Sequence, residues 1–389
     1  VGTGATPLPV RHGAGETAFA ENVLAPIVPE ADREPDPVKA VQRTKPAYVE
    51  AYKAGIAMCM LPRQYGGGVS CPRRHVGPVR RIPRWLDRQR AAGQPVRHRQ
   101  LRHPPARPAG VGLTAARDGD HYVLNGRKYW PSAAGWDERG VDLQTAIVRT
   151  DPDKGGTEGL SAIVIERGTP GITYKYIDKE GHRLTSNAEV DFDDARVPAE
   201  NLLPGAHGNG DFVINRNFAW SGPVAAIAAV GVARAAYEKA LNFAKGNTAG
   251  ALKPIINFQN VGYVLGDVAA KIEMGRYFSW RAADYLDKHD QHGELVGAMN
   301  KIQVTELMFD CVYKCMQIVG VNSLEATHGF GKLLREASVF PIYDGGNMGM
   351  QRRRVHGFLA DPHFNPRAIM EDEYVQLEKH HEAIDTIVP

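Results

Sequence analysis

Between Gly112 and Pro198 the chain changes its hydrophobic rhythm, and that change limits the folds open to it. On either side apolar residues recur every three or four positions, the period of an amphipathic helix. Inside the stretch the apolar runs are short, and turn-forming residues break them. The expected strands are Leu113–Ala116, His121–Leu124, Thr145–Arg149, Ser161–Glu166, Ile172–Tyr176 and Ala188–Phe192. The expected turns between them include Asp118-Gly119-Asp120, Asn125-Gly126 and Lys154-Gly155-Gly156. Short strands at this spacing predict an antiparallel β domain that Asp193–Pro198 closes.

The flanks read as helices. Residues 16–34 put Phe19, Val23, Leu24, Ile27 and Val28 on one helical face. The helical pattern continues to Met60 and stops at Pro62 and Tyr65-Gly66-Gly67-Gly68. From Asp211 helices are expected at roughly 211–246, 255–290, 294–320, 325–339, 347–360 and 366–383. The first three are long and carry apolar stripes, as in an antiparallel bundle. The expected fold class is α+β. Its parts are an N-terminal helical domain (1–108), a middle antiparallel β domain (109–205) and a C-terminal four-helix-bundle-like domain (206–389).

Charge is concentrated in one place. Pro72–Arg107 holds eleven Arg and one Asp, so against +3 overall the rest of the chain is net negative. A basic segment can mean nucleic acid. This one has six prolines, one aromatic residue (Trp85) and no apolar period, so it offers neither a stacking platform nor a recognition helix, and no nucleic-acid partner is expected. The longest apolar run, near Gly222–Ala233, is shorter than a bilayer needs, so no membrane span is expected. The first residues lack an apolar signal-peptide core, and Cys59, Cys71, Cys311 and Cys315 give no disulfide framework. The expectation is a cytoplasmic protein with core thiols and no metal site.

Few motifs carry chemistry on their own. Gly13-Ala14-Gly15-Glu16-Thr17-Ala18 fits a nucleotide-loop pattern and Gly208-Asn209-Gly210 resembles its start, but neither follows an apolar strand. There is no Walker A, HExxH or GxSxG sequence, so a hydrolase or a metalloenzyme has no support. Phe340–Arg354 is different. It sets one carboxylate, Asp344, before Gly345-Gly346, with Asn347 as a possible cap of the helix that follows. Two readings fit: a general base aimed by a rigid turn, or a helix connection with an acidic capping residue.

Several segments resemble, in collinear order, the acyl-CoA dehydrogenase family of flavoproteins. Pro62-Arg63-Gln64-Tyr65-Gly66-Gly67 resembles the end of its first helical block. Tyr122–Trp130 matches Y-x-L-N-G-x-K-x-W, and Val190–Pro198 matches V-x-F-x-D-V-x-V-P. Gln317-Ile318-Val319-Gly320 stands for Q-x-x-G-G, and Ile342-Tyr343-Asp344-Gly345-Gly346 stands where the family has I-Y-E-G-T.

The resemblance implies an FAD-dependent acyl-CoA dehydrogenase, an oxidoreductase acting on CH–CH bonds in fatty acid metabolism. An acyl-CoA substrate would lie against the flavin. Asp344 would take the α-proton as hydride passes to flavin N5, and an electron-transfer flavoprotein would collect the electrons. A carboxylate held against an apolar ring should have a raised pKa, which suits a base. By the same resemblance, Trp130 would pack on the flavin and Ser132 would bond near N5. Thr248, Gln259 and Gln317 would contact the rest of FAD, and Gly346 replaces the Thr beside it. A homotetramer is implied, because the family builds its cofactor site across subunits.

Three departures qualify this. Asp in place of Glu shortens the base by roughly 1.5 Å. Nitroalkane oxidases share the fold and use an Asp base, so a flavin oxidase or monooxygenase is the alternative, and a flavin-free binding paralogue is a third. Gly346 and Gly246 stand where the family has a Thr and a pyrophosphate-binding Arg. The family's T-E-P-x-x-G-S-D loop is missing, and the Arg/Pro segment stands in its place. That segment reads either as a GC-rich gene in another frame or as a real divergence that disables flavin binding. Peptide mass mapping over 60–115 separates the two. The frame reading expects these peptides to be missing, and their recovery excludes it.

Overall fold

The computed structural model describes residues 19–53, 111–134, 143–154, 157–203, 207–208, 210–289 and 294–367. The Pro62–Gly68 motif, Cys59, Cys71, the Arg/Pro segment, the glycine pattern at Gly13 and most of the helix expected at 366–383 lie outside the described residues.

The N-terminal helices are α1 (Ala25–Arg33), preceded by a π-turn at Ala20–Leu24, then α2 (Pro37–Arg43) and α3 (Lys45–Lys53). Asp36 caps α2, its carboxylate accepting from the N–H groups of Val38 and Lys39.

Six strands follow: β1 (Thr114–Asp118), β2 (His121–Ser132), β3 (Leu143–Arg149), β4 (Leu160–Glu166), β5 (Ile172–Tyr176) and β6 (Asn187–Pro198). They form one sheet in the order β4-β3-β1-β2-β6-β5. The expected strands are all present: β5 has its expected bounds, β1 starts and ends a little later, and the other four are longer. The sheet is not wholly antiparallel, because β1 meets β3 in parallel at Thr114 and Arg149.

Asn125-Gly126, expected as a hairpin turn, lies inside β2. Leu124 pairs with Ala195 and Gly126 with Phe192, so β6 carries one residue more than β2 there, a β-bulge. Asn125 closes the bulge by bonding both the Asp194 N–H and the Asp194 carboxylate at 2.9 Å. Asp193–Pro198, expected to end the domain, is the second half of β6.

Among the described residues the C-terminal part holds three long helices and two shorter ones: α4 (Gly210–Gly246), α5 (Gln259–His289), α6 (Glu294–Val319), α7 (Phe330–Val339) and α8 (Arg352–Ala360). The helix expected from 325 starts later, after short 3-10 turns and Gly329 in the left-handed region. Along α4, Ala226, Ala229, Ala233, Ala236 and Ala240 are fully or almost fully buried at helical spacing. They pack with Val268 and Ile272 of α5, Met308, Cys311 and Cys315 of α6 and Phe330 of α7. Burial raises the two thiols to about 11 and about 12, so both are neutral core groups.

The apolar run expected to be too short for a bilayer is longer as folded. Asn217–Gly246 is long and apolar enough to span one by length and composition, and half of its most apolar window is buried within the protein. It is the central helix of the bundle.

Helices α4 and α6 cross closely. A Cβ on Gly222 would lie 3.0 Å from the Gly297 carbonyl oxygen, and one on Gly297 only 2.7 Å from that of Ala219. Both obstacles are backbone, so neither helix yields cheaply. Gly297→Ala is expected to cost about 1–3 kcal/mol in urea unfolding. Gly231→Ala, on the same α4 with open space around it, should be neutral or stabilising by up to about 1 kcal/mol.

Candidate active site

Two strained backbone points and one loop define the site. The first point is Trp130, on β2. Tyr129 pairs with Glu189 and Ser132 with Asn187, so here the extra residue is on β2. Trp130 takes φ 63°, a left-handed conformation unusual for a bulky side chain, and is 56% exposed. The bulge turns the indole out of the strand's alternation. Beside it Asn187 donates from Nδ2 to the Trp130 carbonyl (3.1 Å) and to Ser132 Oγ (3.3 Å). Lys179 in turn donates to Asn187 Oδ1 at 2.6 Å and to the Thr185 carbonyl. Burial pushes Lys179 down to about 8.

The second point is Asp344, with φ 56°, followed by Gly345 at φ 73°. It sits between α7 and a π-turn at Asn347–Gln351 that leads into α8. Asp344 is 3% exposed. Gly345 is needed for its φ and for its neighbour, since a Cβ there would lie 3.1 Å from the Phe218 ring. Gly346 faces the Ile342 carbonyl, 2.8 Å from where a Cβ would be. A threonine at that position would therefore force the turn to shift.

Asn347 does not cap the following helix. Its side chain is buried, accepting from Lys301 Nζ (3.0 Å) and donating to Thr305 Oγ1 (3.0 Å) and Glu306 Oε1 (3.1 Å). Lys301, on α6, also donates to the carbonyls of Phe340 and Tyr343, both at 2.7 Å. Burial pushes Lys301 down to about 8 while the Asp344 and Glu306 carboxylates oppose that, and its three oxygen acceptors suit the ammonium form. Gln351 Nε2 donates to the Asp344 carbonyl at 2.9 Å, and Gln351 Oε1 accepts from Arg354.

The β5–β6 loop connects the two points. Its Ser186 carbonyl accepts from the Ala133 N–H at 2.7 Å, beside the Trp130 bulge. Its His182 ring lies edge-on to Phe340 (4.8 Å) and Tyr343 (5.5 Å), next to Asp344. The His182 N–H is held by Glu336 of α7, and burial lowers its ring pKa. Phe218 belongs to the same core as Val190 and Phe192 of the sheet, with Met350 of the π-turn.

The β5–β6 loop thus touches both the strand end of Trp130 and Ser132 and the turn of Asp344 and Gly346. Thr248, Gln259 and Gln317 do not join them. All three are exposed, at the end of the bundle where α4 stops, α5 starts and α6 ends. From Phe218 to Gly246 helix α4 runs roughly 40 Å. Sequence reasoning missed Lys301, Gln351, Asn187 and the β5–β6 loop. Lys301 had a signal: it sits on the buried stripe of α6 with Gly297, Thr305 and Met308, where a lone charge needs a partner.

Residues 107–195 match the family model of the acyl-CoA dehydrogenase middle domain, and residues 208–359 that of its C-terminal domain. Nitroalkane oxidase of Fusarium oxysporum is 32% identical over 280 residues, 67% of this chain and 63% of that protein. Cyclohex-1-ene-1-carbonyl-CoA dehydrogenase of Syntrophus aciditrophicus is 32% identical over 234 residues, 60% of this chain and 55% of that protein. The chain therefore spans less than two thirds of the length of these curated relatives. A solved nitroalkane oxidase, an active-site mutant crystallised with 1-nitrohexane, superposes with a TM-score of 0.83 at 26% identity, covering 95% of this chain and 99% of that one.

Trp130 spends backbone strain on an exposed ring, so its removal should not harm the fold. Trp130→Gly is expected to leave urea stability within about 1 kcal/mol, as relief of the left-handed φ offsets the lost packing.

Proposed function

The chain belongs to the acyl-CoA dehydrogenase family, and on that premise we propose that it is a flavin-dependent oxidase of carbon acids that takes a nitroalkane. The observation that carries this reading is the base. Asp344 is the carboxylate of the buried turn, its reach is one methylene shorter than Glu, and the Phe218 ring packed on Gly345 stops the turn from retreating. A short base suits a small, already acidic C–H that can come close. A carbon beside a nitro group supplies one, and the similarity to nitroalkane oxidases agrees.

The family is one of FAD flavoproteins, and the residues present fit that cofactor. Trp130 offers an exposed aromatic face, turned out by a bulge, with the Asn187-oriented Ser132 hydroxyl beside it. Nearby, Ser186 Oγ is buried with no partner among the described residues. When bound, FAD would supply a two-electron acceptor for the substrate carbon.

The chain's own residues do the rest. Trp130 and Ser132 hold the ring. Asp344 takes the proton on a carboxylate oxygen. Gln351 and Lys301 fix the carbonyls on either side of it, so its position does not drift as charge moves. Thr248, Gln259 and Gln317 lie too far along the bundle to serve the same cofactor molecule. In this reading they serve that of another copy, within a homotetramer.

A second reading, acyl-CoA oxidation with electrons passed to an electron-transfer flavoprotein, is favoured by the similarity to cyclohex-1-ene-1-carbonyl-CoA dehydrogenase. One experiment separates the two. The purified protein is expected to be yellow and to bleach anaerobically with 1-nitrohexane, regaining colour in air. Bleaching by an acyl-CoA alone would reverse the assignment. Asp344→Asn should keep the flavin and slow bleaching at least about 100-fold. An unchanged rate would remove Asp344 as the base.

A further inference from the structure

The side chain that most needs explaining is Lys301. It is completely buried, yet a methionine of similar length would fill its space without the cost of an ammonium out of water. Its three N–H donors meet three acceptors: the carbonyls of Phe340 and Tyr343 and Asn347 Oδ1. All three belong to the segment that brackets Asp344, and they span it from the end of α7 to the start of the π-turn.

The neighbouring charges are accounted for. Glu306, also on α6, is held by both guanidinium nitrogens of Arg352 from α8, each at 2.8 Å. Arg354, also from α8, is paired with Glu294 and lies over the Phe218 ring. From α7, Glu336 is engaged by His182. From α4, a Cβ on Gly222 would lie 3.3 Å from the Lys301 stem, and one on Gly345 of the turn would lie 3.1 Å from the Phe218 ring. The Tyr343 ring lies 5.6 Å from the ammonium. The Lys301 charge is opposed first by the Asp344 carboxylate and then by Glu306, which Arg352 holds as well.

We infer that Lys301 is a positioning residue for Asp344: its ammonium ties down the turn that carries the carboxylate and favours that carboxylate in its charged, proton-accepting form. The inference rests on the reading of Asp344 as the base.

The test is Lys301→Met in the full chain, with two readouts. In the first, the acid limb of the pH profile for flavin reduction should move up by about one to three pH units, with kcat falling more than KM rises. In the second, isotope-edited infrared spectroscopy without substrate, assigned by difference against Asp344→Asn, should show the carboxyl titration moving up equally. Lost activity with both titrations in place would mean a merely structural lysine and would overturn the inference. Should Lys301→Met not fold, the same coupling is read from its other end. In the isosteric Asp344→Asn, the Lys301 15Nζ titration should move down by a similar amount, and an unmoved resonance overturns the inference. If Asp344 is not the base, only the kinetic readout falls silent. The infrared and nitrogen titrations still decide the coupling.

Discussion

An ammonium group taken out of water must replace its hydration with oxygen atoms fixed in space, and Lys301 finds all of its own on the segment around Asp344. That requirement organises the end of the bundle. Asn347 must turn inward to give its oxygen to Lys301, so its amide faces Thr305 and Glu306 on the same helix. Glu306 in turn anchors Arg352, and so the start of α8. Gln351 reaches back to the Asp344 carbonyl from the π-turn. Each member satisfies another, as a buried polar network must if it is to fix one structure rather than loosen the core.

Backbone strain marks the same region. Trp130, Ala133, His182 and Asp344 all take positive φ without being glycine. Such conformations cost of order 1–3 kcal/mol each and persist where the surroundings over-determine them. The β5–β6 loop provides that here. It bonds to the sheet beside Trp130 and lays His182 against Phe340 and Tyr343. Arg183 from the same loop donates to the carbonyls of Asp32 and Glu34. One short segment thus registers the sheet, the N-terminal helices and the turn of Asp344 against each other.

How much of this the sequence showed depended on the range of the physics involved. Periodicity is local, so the helices and the six strands were legible, but not the order of the strands in the sheet or the parallel pairing of β1 with β3. Asn125-Gly126 misled because its hairpin signal is local, whereas its use, a bulge closed by Asp194, depends on a strand 69 residues away. Asn347 misled in the same way. Its position suggested a cap, and a buried lysine 46 residues earlier claimed its side chain. Asp344 stood out because a lone acid before two glycines is rare chemistry in one place. Lys301 did not, because its partners are backbone carbonyls, which every residue has. The exposed Thr248, Gln259 and Gln317 were named only by family likeness, and nothing within one chain brings them to the site.

The packing of Gly345 on Phe218 has a historical consequence. The turn has the Phe218 ring packed behind it. Exchanging Asp344 for glutamate therefore cannot be absorbed by backing away, and the added methylene would push the carboxylate forward, away from the ring. A lineage passing between the two acids would need to alter the ring first or accept a displaced turn. The length of the acid at 344 and the residue at 218 are in that sense inherited together, because each sets the room left for the other.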